Sequence, residues 1–268
     1  MIQASAVPAR TTFDHISFSA IRLFSTCPLH FYFRYIAGLP EETIASSLVL
    51  GAGIHSALQF HFEQLLAGES PPTLDTLLEI FWDSWHSRDH QEVILGKGED
   101  INSIGQLAER LLRTFQANDF SRPTGRIIAV EEELRGPLIP GLPELLARVD
   151  LLVETEEALE ITDFKTSRSA WGGEQVTDAA SQLLLYTELV KHLSDGKPLR
   201  LAFAVLTKAK APDLTVYPVP FDEREVVRTK VVVERVWRAI LSGHFYPSPS
   251  PINCPRCPFR QHCRAWAG

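Results

Sequence analysis

The segment Leu159-Glu160-Ile161-Thr162-Asp163-Phe164-Lys165 carries the most pointed chemistry in the sequence. Alternate residues of a strand share a face, so Leu159, Ile161, Asp163 and Lys165 line one side. That face starts apolar and ends charged, as a strand leaving a core for a polar cleft would. Asp163 and Lys165 alone could be a surface ion pair. Asp150 argues for more, because it sits inside the apolar run Leu145–Val153, where a carboxylate is costly unless paired or metal-bound. A hairpin through the polar turn at 154–158 would bring Asp150 toward Asp163. Two close carboxylates repel, and a divalent cation relieves the repulsion. A cation held by carboxylates, with a lysine to orient water and stabilise negative charge, suits phosphodiester hydrolysis. Glu131, Glu132 and Glu133, one strand earlier, read as a solvated strand edge rather than as a further active-site acid.

The four cysteines form a second constellation. Cys254, Cys257 and Cys263 fall within ten residues, and Cys27 lies more than two hundred residues away. Two disulfides are arithmetically possible, but an intracellular chain of this size rarely needs them. Four thiolates suit structural zinc or an iron–sulfur cluster, and the residues alone leave both open.

The elements that must position these groups follow from periodicity. Ser17 offers a helix N-cap, and Cys27-Pro28 ends that helix and starts another, which stops near Gly38. Residues 48–67 carry a helical stripe of Ile54, Leu58, Phe62 and Leu65. Two further stripes, Leu74 to Trp85 and Ile104 to Phe115, flank a polar loop at 86–101. The pattern then changes to strands at 126–134, 144–154 and 159–165, a helix at 176–193, strands at 201–207 and 214–219, and an amphipathic helix at 222–241. Residues 1–15 read as a loose arm. The tail from 244 reads as irregular unless a cofactor organises it. The expected class is α/β: a central mixed sheet flanked by helices, with a helical N-terminal part and a cysteine-bound C-terminal tail.

The chain has 268 residues, 45% of them hydrophobic, which is ample for a globular core. No stretch is apolar enough to span a bilayer. Met1 to His15 lacks the apolar block of a secretory signal, so the expected compartment is the cytoplasm, with no membrane partner. The net charge of −7 speaks against a broad nucleic-acid-coating surface but leaves room for a local one.

An Asp closing one strand and Asp-x-Lys on the next resemble the PD-(D/E)XK nuclease superfamily, and Asp163-Phe164-Lys165-Thr166 resembles its RecB-like branch. Gly51-Ala52-Gly53-Ile54-His55 is similar to that branch's helical histidine motif. Gln182-Leu183-Leu184-Leu185-Tyr186 is similar to its Gln-x-x-x-Tyr motif, with both polar residues on one helical face. Ser17-Phe18-Ser19 leading into Cys27-Pro28 resembles its N-terminal segment. The resemblance implies a single domain over residues 1–268 with a restriction-endonuclease-like core and a helical insertion at about 68–120. It implies that His55, Asp150, Asp163 and the Phe164 carbonyl hold Mg²⁺ or Mn²⁺, and that Lys165 positions the attacking water. Gln182 and Tyr186 would orient the lysine or contact the DNA backbone. The cysteines resemble the staple of AddB-type and CRISPR-associated RecB-like nucleases, which implies a [4Fe–4S] cluster on Cys27, Cys254, Cys257 and Cys263, with zinc as the competitor. The implied activity is a DNA exonuclease acting on single-stranded ends in repair, recombination or CRISPR adaptation. Two other readings stand beside it: a non-cutting DNA-binding subunit, and a processing endonuclease in a complex with a helicase or integrase.

Overall fold

The computed structural model describes residues 13–88 and 91–267. In chain order the elements are β1 (His15–Ser17), α1 (Phe18–Thr26), α2 (Pro28–Phe31), a π-helical turn (Tyr32–Ile36), β2 (Thr43–Ala45), α3 (Ser46–Leu66), α4 (Leu74–His86), β3 (Glu92–Ile94) and α5 (Ile101–Ala117). There follow β4 (Arg126–Gly136), β5 (Glu144–Glu154), β6 (Leu159–Ser167), α6 (Gly173–Val190), β7 (Leu199–Thr207), β8 (Leu214–Val219), α7 (Glu223–Leu241) and α8 (Arg260–Ala265).

The expected mixed sheet is present. Its path runs β1-β5-β6-β7-β8, and β4 pairs with the other edge of β5. β6 and β7 are parallel, joined by the crossover helix α6. β7 carries a near-continuous apolar run, Leu201 to Leu206, because helices cover both faces of the sheet. One core gathers Leu183, Leu184 and Leu185 of α6 with Val233 and Trp237 of α7. The other gathers α3, α4 and α5 through Leu58, Phe62, Phe81, Leu111 and Phe115. The stripes read from the sequence supply these contacts. Asp100 caps α5 through a reciprocal box with Ser103.

Several expectations need correction. The arm at 1–15 lies mostly outside the described residues, and His15 at its end already belongs to β1. The polar stretch 86–101 contains β3, which pairs in parallel with β2. The cysteine tail is not wholly irregular, since residues 260–265 form the short helix α8. Among the described residues, no helix is long and apolar enough to cross a membrane.

Candidate active site

The site is built where the sheet forks. β4 runs along one edge of β5 for its whole length. On the other edge, β6 pairs with β5 only from Leu151↔Thr162 to Glu154↔Leu159. Beyond that, β1 takes the same edge at Glu144–Leu146, while β6 continues along β7 through Ser167. Asp150 and Asp163 are the first residues past the split. The two no longer pair with each other, although β4 still runs beside Asp150 and Phe203 of β7 still pairs with Asp163, so a notch opens between β5 and β6 at this point.

The alternation of faces reverses at Asp150. Leu145, Ala147 and Val149 enter the core beneath α6 and α7, whereas Leu151 and Val153 enter the core beneath α3 to α5. On β4, the pairs Val130↔Leu151 and Glu132↔Val149 set Glu131 opposite Asp150. Glu131 has φ 51°, the left-handed region that a non-glycine residue adopts only at some cost. Its side chain is turned inward and is 9% exposed. The solvated-edge reading therefore fails at Glu131, while Glu133 remains exposed.

His55 joins these acids. Its Nε2 lies 2.9 Å from Asp150 Oδ2, and its Nδ1 lies 2.8 Å from Glu131 Oε1. Glycines let α3 pack closely on both sides, Gly51 against β6 and Gly53 against α4. A Cβ on Gly53 would stand 2.6 Å from the Phe81 ring, and one on Gly51 would stand 3.2 Å from Thr166 Oγ1. Gly51 thus seats α3 against β6, and His55 follows one turn later. Ligand atoms of His55, Glu131 and Asp150 all fall within 4.8 Å of one another; among the described residues no other such group of three occurs. Burial pulls the His55 pKa down, but its hydrogen bonds to Asp150 and Glu131 outweigh this and raise it to about 10.

Asp150 also accepts a 2.6 Å bond from the Phe164 N–H, and the Phe164 ring stacks on Phe62 in the α3 core. Asp163 faces the other way, on the side chosen by strand alternation. Gln182 on α6 donates to its Oδ1 at 2.9 Å and to the Tyr186 hydroxyl at 3.0 Å. Lys165 Nζ stands 2.5 Å from Asp163 Oδ2. Burial, reinforced by the charge of Asp150, raises the Asp163 pKa. Burial also pushes Tyr186 up to about 12, so its hydroxyl stays neutral. The six side chains expected from the sequence thus meet at the fork: His55 and Asp150 on the α3 side, Asp163, Lys165, Gln182 and Tyr186 toward α6. Gln182 reaches Asp163 rather than the lysine.

At the other end of α1, the four cysteines line one cavity of about 260 Å³ together with Leu29, Phe33 and Phe259. No disulfide joins them. Burial and the charges of Cys27, Cys257 and Cys254 raise the Cys263 pKa. His30 lies 3.9 Å from Cys257 Sγ and 3.6 Å from Glu41. Burial lowers its pKa, but these two partners bring it up to about 9.

The sequence profile of the PD-(D/E)XK nuclease superfamily matches residues 15–264. The crystal structure of a candidate exonuclease from Eubacterium rectale aligns at 15% identity, over 95% of this chain and 90% of that one, with a TM-score of 0.60. At that identity the likeness is one of fold. The structure of SSO0001 aligns at 15% identity over 92% of this chain and 95% of that one, with a TM-score of 0.37. No curated protein sequence matches the chain.

Proposed function

Since the chain belongs to the PD-(D/E)XK nuclease superfamily, we propose that it is a RecB-like, metal-dependent DNA exonuclease that digests single-stranded ends. The observation that carries this reading is the fork, where the trio His55, Glu131 and Asp150 stands beside the pair Asp163 and Lys165. One imidazole and two carboxylates make a fitting donor set for a divalent cation. The N–H and C=O of a strand residue point to the same edge. The Phe164 N–H reaches Asp150, so its carbonyl opens into the fork as well.

His55, Glu131, Asp150, Asp163 and the Phe164 carbonyl are then the groups that would hold one or two Mg²⁺ or Mn²⁺ ions. Bound there, such an ion supplies Lewis acidity and a nucleophilic water at neutral pH. Lys165 orients the attacking water and offsets charge that builds on the phosphoryl oxygens. Gln182 holds Asp163 in place, and Tyr186 holds Gln182. The helices α4 and α5 are read as an insertion in a single nuclease domain.

The cysteines are read as ligands of a [4Fe–4S] cluster. Tetrahedral zinc with bonds of 2.3 Å would set sulfurs about 3.8 Å apart. The thiols here surround a cavity, and no three of them close to within 4.8 Å. That spacing favours the larger group. Reduced thiols also suit the cytoplasm. A visible charge-transfer absorbance in anaerobically purified protein supports the cluster; a colourless, zinc-loaded protein overturns it.

The central test is digestion of linear, end-blocked and circular single strands with Mg²⁺ or Mn²⁺. Linear strands should be degraded and circles spared. Lys165→Ala should lower the rate by about a thousandfold with an unchanged melting temperature. Cutting of circles rejects the exonuclease assignment, and undiminished activity in Lys165→Ala rejects the site.

A further inference from the structure

We propose that Arg168 and Lys208 form a subsite for a backbone phosphate flanking the one being cut. The proposal rests on the nuclease reading and extends its site along the strand. The Lys208 N–H donates to the Ser167 carbonyl at 2.7 Å, carrying the β6–β7 pairing one step past Ser167↔Thr207. Arg168 and Lys208 therefore sit side by side at the carboxyl ends of two parallel strands, where open α/β sheets bind their ligands. Arg168 lies three residues from Lys165, about 10 Å along a strand.

The packed seam between α3 and β6 runs from this point to the metal-ligand trio. His55 marks one end, Gly51 touches Thr166 midway, and Ser46 marks the other. Nine residues of helix separate His55 from Ser46, about 13 Å. Glu99 closes the far end, accepting from Ser46 Oγ at 2.5 Å and from the Gly96 N–H at 2.6 Å.

The charge balance at this point is unusual. Among the described residues, neither Arg168 nor Lys208 has a carboxylate within 4.0 Å, although the chain forms many ion pairs elsewhere. Lys208 is only partly exposed. Burial, and then the charge of Arg168, lowers its pKa, while Glu99 only partly compensates. Two adjacent cations that share only the more distant Glu99 repel, and one of them is partly desolvated. An arrangement of this kind is relieved by an anion, and next to a phosphodiester-cleaving centre the anion of matching chemistry is a phosphate.

The test measures binding of a labelled single-stranded oligonucleotide to the full chain in a Lys165→Ala background, which holds the strand uncut. Affinity is followed across a salt series for Lys208→Gln and Arg168→Gln, with Arg200→Gln as the control. Arg200 sits at the opposite end of β7, paired with Glu157 and Glu160. Each subsite substitution should weaken binding roughly tenfold at low salt, equally for different base sequences. Each should also flatten the plot of log affinity against log salt by about 0.7. The control should change neither. Arg168 is exposed, so its variant keeps the test readable if Lys208→Gln melts early. Unchanged affinity and slope in Arg168→Gln overturn the subsite, as does a background protein that binds no nucleic acid. Binding lost on both substitutions, in a chain whose wild type cuts nothing, rejects the nuclease reading and leaves the subsite standing.

Discussion

The fork in the sheet and the cysteine cavity are the two proposed ligand sites, and they are held together in opposite ways. At the fork the protein has already bonded its own donors. Both nitrogens of His55 have carboxylate partners, Asp150 also takes a strand N–H, and Asp163 is gripped by Gln182 and Lys165. These groups stand on long strands and on the helices α3 and α6, which belong to the two main cores. The cavity has a core of only Leu29, Phe33 and Phe259, and its four thiols are not bonded to one another. A site made by strand pairing is organised before its ligand arrives. A site that joins residue 27 to a short tail derives its order from what binds there.

The largest expected effect tests that contrast directly. Removing the proposed cluster, or substituting Cys257→Ala, should open a loop of more than two hundred residues and cost on the order of 5 kcal/mol. Limited proteolysis should then cut within 244–267 and leave the sheet intact. Chelating the divalent ion should change the melting temperature far less. A tail that resists protease equally well without iron would show that the two regions are not different in kind.

How far the sequence foretold each region follows the same line. The alternation in Leu159–Lys165 was enough to set Asp163 and Lys165 on one face, and the helical stripes located α3 to α7. Local patterns could not supply the fork, because it exists where β1, over a hundred residues away, takes β6's place beside β5. Asp150 and Asp163 do come together as expected, but local patterns gave no sign that one is held from α3 and the other from α6. Glu131 was missed for a related reason. A run of three glutamates on a strand gives no sign of which turns inward; the register opposite Asp150 and a φ of 51° decide it. The three-residue strands β1, β2 and β3 are too short to show a period. In the tail, proline and cysteine mask the single turn and a half of α8.

The next effect concerns protons at the fork. The His55 pKa is raised to about 10 by Asp150 and Glu131 against burial, so the imidazolium directs one N–H at each acid, and a metal ion bound as proposed would have to displace a proton. Metal affinity should therefore rise about tenfold per pH unit between pH 6.5 and 10 and level off above. His55→Gln should remove that slope. Without metal the sign reverses for stability. A raised pKa contributes stability that is fully present below the unfolded value near 6.5 and is lost as pH rises through 10. Calorimetric titration with Mn²⁺ at several pH values, with melts of the metal-free protein, measures both trends. A flat affinity profile in the wild type would mean that His55 is not a ligand.

The smallest effect separates two roles for Gln182. Its Nε2 donates both to Asp163 and to the Tyr186 hydroxyl. Gln182→Ala removes a hydrogen bond to a carboxylate, worth about 1.5 kcal/mol, or roughly a tenfold loss of activity. If Gln182 positions Asp163, and through it Lys165, the loss appears in kcat while KM for the strand is unchanged. If Gln182 instead contacts the DNA backbone, KM rises and kcat holds. Tyr186→Phe, which leaves Gln182 its bond to Asp163, should move the same parameter in the same direction by only two- to threefold, on the order of 0.5 kcal/mol. A Tyr186→Phe effect larger than that of Gln182→Ala would place the tyrosine against the substrate and take the α6 side of the fork out of the protein-held class.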